Sequence, residues 1–250
     1  MEFQLTEEQT LLKDSVSKYL ADNYDFKNRQ TAAGTSLGYS QEHWLKYAEF
    51  GWLSVPFEEA LGGFGGRVED TAIICEQFGR SLVLEPFLSN VILAGFLLAR
   101  GGRKDLITVL VDGGIQCAFA GSERHSRQDM FDIKSKAVQK GDVFNLSGEK
   151  TLVLNGVEAR YIVTSARTSG EQRQKEGITL FCIDSEEFAV ERSVIPIMDG
   201  SKVANLRFDN LSLNQDSVVG EVGEGGKLLD TMLLEARIAV AAEMLGIMDV

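Results

Sequence analysis

The chain changes character near residue 113, and that change restricts its fold more than any other feature. Before it, apolar residues recur at helical spacing. From about 115 to 222, short segments rich in Val, Ile, Phe and Thr are separated by glycines and polar clusters. After 225 the helical spacing returns. Helices first, strands next and a helix last describe an α+β chain with segregated domains, not an alternating α/β sheet. The expected division is an N-terminal helical domain at 1–113, a middle β domain at 114–224, and the first helix of a C-terminal helical domain at 225–250.

Local signals support this reading. Thr6-Glu7-Glu8-Gln9 is a capping box, and the helix it opens runs to about Tyr24 with Leu12, Val16, Tyr19 and Leu20 on one face. Ser40 caps a second helix through Phe50. Glu69 and Asp70 suit the first turn of a third, ending near Gly79. A fourth spans 85–100 and stops at Gly101-Gly102; a short one covers 103–111. Segments 115–120, 131–139, 143–146, 161–167, 178–184, 188–194 and 205–211 predict strands of a compact, mainly antiparallel barrel or sandwich.

The last helix lacks a stop signal. Leu229, Leu233, Ala236, Val240, Met244 and Ile247 keep helical spacing, and no Gly, Asn or basic residue closes the run. A helix this apolar expects burial against further helices. Either a partner completes this core or the chain is a fragment of a longer one.

Charge and composition exclude several classes. A formal net charge of −12 argues against nucleic acid as a partner. The longest apolar run, 87–99, contains Ser89 and Asn90 and is too short for a membrane span. Met1-Glu2-Phe3-Gln4 has no basic signal region, so a cytoplasmic location is expected. Cys75, Cys117 and Cys182 show no metal or redox spacing and read as core residues. With only His43 and His125, metal catalysis and a Ser–His triad are hard to build.

The glycine clusters are structural. Gly62-Gly63-Phe64-Gly65-Gly66 lacks the Lys-Ser/Thr of a phosphate loop and follows no strand, so it predicts a tight connection between helices. In Gly220–Gly226, Glu221 and Glu224 would repel a phosphate, which favours a domain link. The polar stretch 122–129 reads either as a solvated loop or as a ligand loop at a domain junction.

Taken in order, these pieces resemble the acyl-CoA dehydrogenase family. Thr6 to Leu12 resembles its opening helix. Gly51-Trp52-Leu53-Ser54-Val55-Pro56, continuing to Gly62-Gly63-Phe64-Gly65, resembles its G-L-x-x-x-P and G-G-x-G pattern. Gly148-Glu149-Lys150, Asn155-Gly156, Ala159 and Val163 to Arg167 resemble its β-domain signature. Gly220 to Gly225 and Arg237 resemble the opening of its last domain. Within the family the chain is most similar to pimeloyl-CoA dehydrogenase small subunits, through Tyr24-Asp25-Phe26, residues 78–86 and Glu123-Arg124.

The resemblance implies a FAD-dependent α,β-desaturation of an acyl-CoA thioester, in a homo-oligomer or a hetero-oligomer with a large dehydrogenase subunit. It implies flavin contacts at Phe119, Gly121, Ser122, Glu123, Leu152, Val153 and Leu154, and substrate contacts at Gln128 and Arg237. It also marks departures. Leu152 and Leu154 stand where the family carries a Trp and a Thr. Ala236 stands where some members carry the base, and Glu235 lies about 100° round the helix from it. No general base is therefore expected within the chain. The competing expectation is a non-catalytic partner subunit with weak or no flavin binding.

Overall fold

The computed structural model describes residues 4–127 and 129–250. The expected α+β order holds. The helical part comprises α1 (Glu7–Asn23), α2 (Phe26–Ala33), α3 (Gln41–Glu49), α4 (Val68–Ser81), a π-helix (Leu88–Gly95) that continues into α5 (Phe96–Arg100), and α6 (Lys104–Val111). The caps are those the side chains dictate. Thr6 and Gln9 close the capping box on α1, and Ser40 accepts the His43 amide at α3. Asp25 accepts the Asn28 amide and starts α2, a helix the apolar pattern did not announce because only Ala32 of it is buried.

The helical core is aromatic. Trp44 and Tyr47 are wholly buried, and Tyr47 stacks on Phe78 at 5.1 Å between centroids. His43 serves this core: its Nδ1 lies 2.8 Å from the Tyr19 hydroxyl. The glycine cluster is the tight connection its composition predicted. A Cβ on Gly63 would strike the Phe57 carbonyl, and one on Gly66 would lie 2.5 Å from the Val55 oxygen. All three cysteines are buried and free.

The β part is one eight-stranded sheet in the order β6-β7-β3-β2-β4-β5-β8, with β1 also on β4. Its strands are β1 (Cys117–Ala120), β2 (Lys136–Lys140), β3 (Val143–Leu154), β4 (Tyr161–Arg167), β5 (Ile178–Asp184), β6 (Glu191–Pro196), β7 (Lys202–Asn214) and β8 (Val218–Val219). Most pairs are antiparallel, but β1 and β2 meet β4 in parallel. Both use one edge of β4: Cys117–Ala120 pairs with 161–164, and Lys136 pairs with Arg167. Residues 121–135 therefore leave that edge and return to it.

Two strand expectations change most, while those at 188–194 and 205–211 shift by two or three residues at their ends to Glu191–Pro196 and Lys202–Asn214. The strand expected at 131–139 begins only at Lys136, because the Ile133, Lys134 and Ser135 amides bond to Gln172 and Glu123 instead of a ladder. The one expected at 143–146 extends to Leu154, with register shifts at Leu146/Gly148 and Lys150/Val153. Bulges of this kind break the alternation that marks a strand in sequence.

Helix α7 (Gly225–Met248) ties the two parts together. Its start presses on β5, where a Cβ on Gly225 would lie 2.9 Å from Leu180 Cγ. It then runs alongside α4. Gly79 of α4 meets the Glu243 backbone and Gly246 of α7 meets the Glu76 backbone, each closer than any Cβ allows. Leu229, Met232, Ala236 and Ala239 face this packing, while Leu234, Ile238, Met244 and Leu245 are exposed. No helix among the described residues is long and apolar enough to cross a membrane.

Candidate functional site

The loop from 121 to 135 is held by a buried ion pair. Glu123 is 4% exposed, and its carboxylate accepts hydrogen bonds from the Lys134 amide (2.8 Å), the Ser135 amide (3.0 Å) and the Ser135 hydroxyl (2.7 Å). Lys150, itself 1% exposed, donates to Glu123 Oε1 at 2.9 Å, to the Gly121 carbonyl at 3.3 Å and to Ser165 Oγ at 3.2 Å. Burial alone would raise the Glu123 pKa; the Lys150 charge and the hydrogen bonds outweigh it and hold the carboxyl below its usual range. Burial likewise lowers the Lys150 pKa against the opposing pull of Glu123.

The Glu123 carboxylate is engaged within the loop and is not free for a cofactor. The Val153 side chain is 2% exposed and packs in the β core, which leaves only its backbone for a ligand.

The remaining predicted flavin residues come together. The Thr151 amide donates to the Ser122 carbonyl at 2.9 Å, and Asn155 Nδ2 donates to the Cys117 carbonyl at 3.0 Å. The stretch Phe119–Ser122 thus lies alongside 151–155. Leu152 adopts φ +52° in the bulge, where its amide and the Thr151 hydroxyl both bond to Asn205 Oδ1. That turn pushes Leu152 outward to 57% exposure, and Leu154 is 37% exposed. Among the described residues, Ser122 Oγ has one side-chain neighbour in hydrogen-bonding range, the Met130 sulfur at 3.6 Å. The edge thus offers two apolar side chains and a hydroxyl with no strong partner. These fit the ring of a flavin in part: the apolar wall is present, but neither side chain on it is aromatic or hydroxylated.

Two openings border this edge, and a third lies within the helical part. One of about 470 Å³ lies beside Leu152 and includes Arg124 and Arg207 with Glu149 and Glu191. A second, of about 150 Å³, is bordered by Leu154 and Asn155 on one side and by Glu85 and Glu243 on the other. The third, about 270 Å³, lies at the far end of the helical layer. Glu235 lines that third cavity with Phe57, Ile92 and Phe96, apart from the Leu152–Leu154 edge, as its angle from Ala236 leads one to expect.

Ala236 is 8% exposed and brings no carboxyl. Arg237 is exposed and forms no ion pair among the described residues. Gln128 lies outside the described residues. No group of three metal-ligating side chains exists among those described.

A helical domain joined to a mainly antiparallel sheet, with an apolar edge at the junction, defines the class of the scaffold. The model of the acyl-CoA dehydrogenase N-terminal domain matches residues 6–106, and that of the middle domain matches residues 118–211. The chain belongs to the acyl-CoA dehydrogenase family. The probable acyl-CoA dehydrogenase FadE25 of Mycobacterium tuberculosis is 29% identical over 208 residues, covering 79% of this chain and 52% of that protein. The FAD complex of PigA superposes with a TM-score of 0.90 at 21% identity, covering 99% of this chain and 67% of that one. The ChsE4-ChsE5 complex from Mycobacterium tuberculosis gives 0.85 at 21% identity, covering 98% and 65%. The chain spans about half the length of the curated relative FadE25.

Proposed function

We propose that the chain holds FAD along Phe119–Ser122 and Leu152–Leu154 and takes part in the α,β-desaturation of an acyl-CoA thioester, with the general base supplied from outside residues 1–250. The observation that carries this reading is the meeting of two separate stretches, Phe119–Ser122 and 151–155, through the Thr151 amide and the Ser122 carbonyl, with the Leu152 and Leu154 side chains exposed beside them. Bound FAD supplies the hydride acceptor for such a reaction. The chain's own residues hold the ring and keep water from one of its faces. The Glu123–Lys150 pair acts indirectly, by fixing the loop that carries Ser122.

The base has to come from elsewhere because Ala236 stands at the one position on α7 from which the resemblance would recruit it. A larger dehydrogenase subunit or further helices against the exposed stripe of α7 fits this need, and the ChsE4-ChsE5 complex offers a precedent for a chain of this fold within an assembly. A second reading, a non-catalytic partner subunit, is favoured by Leu152, Leu154 and Ala236.

FAD titration separates the two. Uptake of yellow flavin, with bleaching when acyl-CoA and a partner subunit are added, is the expected result. Ser122→Ala should weaken FAD binding by about fivefold, the loss of one modest hydrogen bond. A protein that takes up no FAD even beside a partner would overturn the proposal and leave the non-catalytic reading.

A further inference from the structure

The groove of about 150 Å³ next to Leu154 has an unusual balance of charge. Its walls are apolar where Phe78, from α4, and Leu88, from the π-helix, meet Leu154. Its charged lining is mostly acidic: Glu85, Asp199 and Glu243 against Lys202. Glu85, 5% exposed, accepts hydrogen bonds from the Ser40 amide (3.0 Å) and the Tyr47 hydroxyl (3.3 Å). Asp199 reaches the groove from the turn between β6 and β7 and accepts the Ser201 amide at 2.8 Å.

Glu243 contributes the third carboxyl. It follows Ala236 by seven residues, so it lies on nearly the same face of α7, two turns further along. No described side chain or amide donates to it. Burial, and then Asp199, push its carboxyl above the usual range, as expected where no cation compensates. The lining cation is Lys202, and its ammonium is committed to the Thr35 and Ser36 carbonyls at 2.9 Å each.

A terminal carboxylate entering this groove would meet three carboxyls and no free cation. A neutral end would meet the apolar wall, and a donor would satisfy Glu243. We propose that this groove receives the far end of the acyl chain and selects thioesters ending in an uncharged or hydrogen-bond-donating group, rejecting ω-carboxyacyl thioesters. The inference rests on the acyl-CoA reading above, since Leu154 is shared by the groove and the flavin edge. It runs against the similarity to pimeloyl-CoA dehydrogenase small subunits, which predicts a preference for a terminal carboxylate.

The test compares binding of pentanoyl-CoA, 5-aminopentanoyl-CoA and glutaryl-CoA, which share one chain length, by calorimetry on the FAD-treated chain with and without a partner subunit. Glutaryl-CoA should bind at least about tenfold more weakly than the other two, the scale of like-charge repulsion in a half-buried site. Glu243→Gln should shrink that ratio at least threefold, and the exposed Asp199→Asn should shrink it in the same direction, with thermal stability showing that both variants fold. Equal or tighter binding of glutaryl-CoA overturns the groove proposal while the acyl-CoA reading stands. An unchanged ratio in both variants also overturns it. If none of the three thioesters binds even with a partner, the acyl-CoA reading itself fails.

Discussion

Lys150→Met is expected to destabilise the chain by about 3–5 kcal/mol, because it strands a buried carboxylate. Methionine fills the volume of the lysine stem, so packing loss stays small. What disappears is the cation 2.9 Å from Glu123, together with donors to Gly121 and Ser165. Replacing both residues, as Lys150→Met with Glu123→Leu, should cost less than the two single changes added together, because neither charge is then left alone.

The pH dependence has a definite sign. The folded pKa of Glu123 is depressed. Its contribution is therefore complete above the unfolded carboxyl value of about 4.3 and is lost as pH falls through the lower folded value. The folded pKa of Lys150 is also depressed, which costs stability below that value and is relieved as pH rises toward the unfolded value of about 10.4. Urea unfolding of wild type and Lys150→Met across the acid range measures the first limb. A loss at neutral pH below about 1 kcal/mol would mean that the pair contributes little beyond a hydrophobic substitute.

The second large effect is expected from Gly246→Val. At this crossing the α7 backbone rests directly on the Glu76 carbonyl, and Gly79 provides the reciprocal approach to Glu243. A side chain larger than hydrogen forces the helices apart, at a cost of about 3 kcal/mol. The loss should be regional. Hydrogen exchange is expected to show faster opening of α7 amides while β4 and β5 keep their protection, since the sheet core of Phe144, Phe181 and Ile183 lies elsewhere. Uniform loss of protection would instead show that α7 and the sheet unfold as one unit.

What could be read from the sequence depended on how local its cause was. The capping box of Thr6 and Gln9 and the stop at Gly101-Gly102 act within a turn, and both were legible. Helix α2 was not, because its start rests on one Asp25 contact and its faces are nearly all exposed. The late start of β2 and the length of β3 depend on Glu123 capturing amides 11 and 12 residues away and on two bulges, which no periodicity records. Ser122, Leu152 and Leu154 are proposed from family spacing, and the Thr151 amide brings their two stretches side by side. The pairing of Glu123 with Lys150, 27 residues apart, has no trace in any local pattern. The acidic groove draws on the helices, the sheet and α7 at once, and no segment of the sequence contains its pattern.

The π-helix at Leu88–Gly95 has one further consequence. Each of its hydrogen-bonded rings closes over one more residue than in an α-helix, so the segment carries a phase offset. Its leading end borders the acidic groove, while at its trailing end Gly95 sits so close to Phe57 that a Cβ would lie 2.8 Å from the ring. The offset uncouples these two ends: the trailing end can stay keyed to Phe57 while the leading end is aimed on its own. Removing one residue would restore regular winding, leave the flanking turns near their present phase, and change which side chains the segment itself presents. Chain length within this stretch, more than side-chain identity, is thus a means by which the rim of the groove can be re-aimed while the rest of the helical core stays in place.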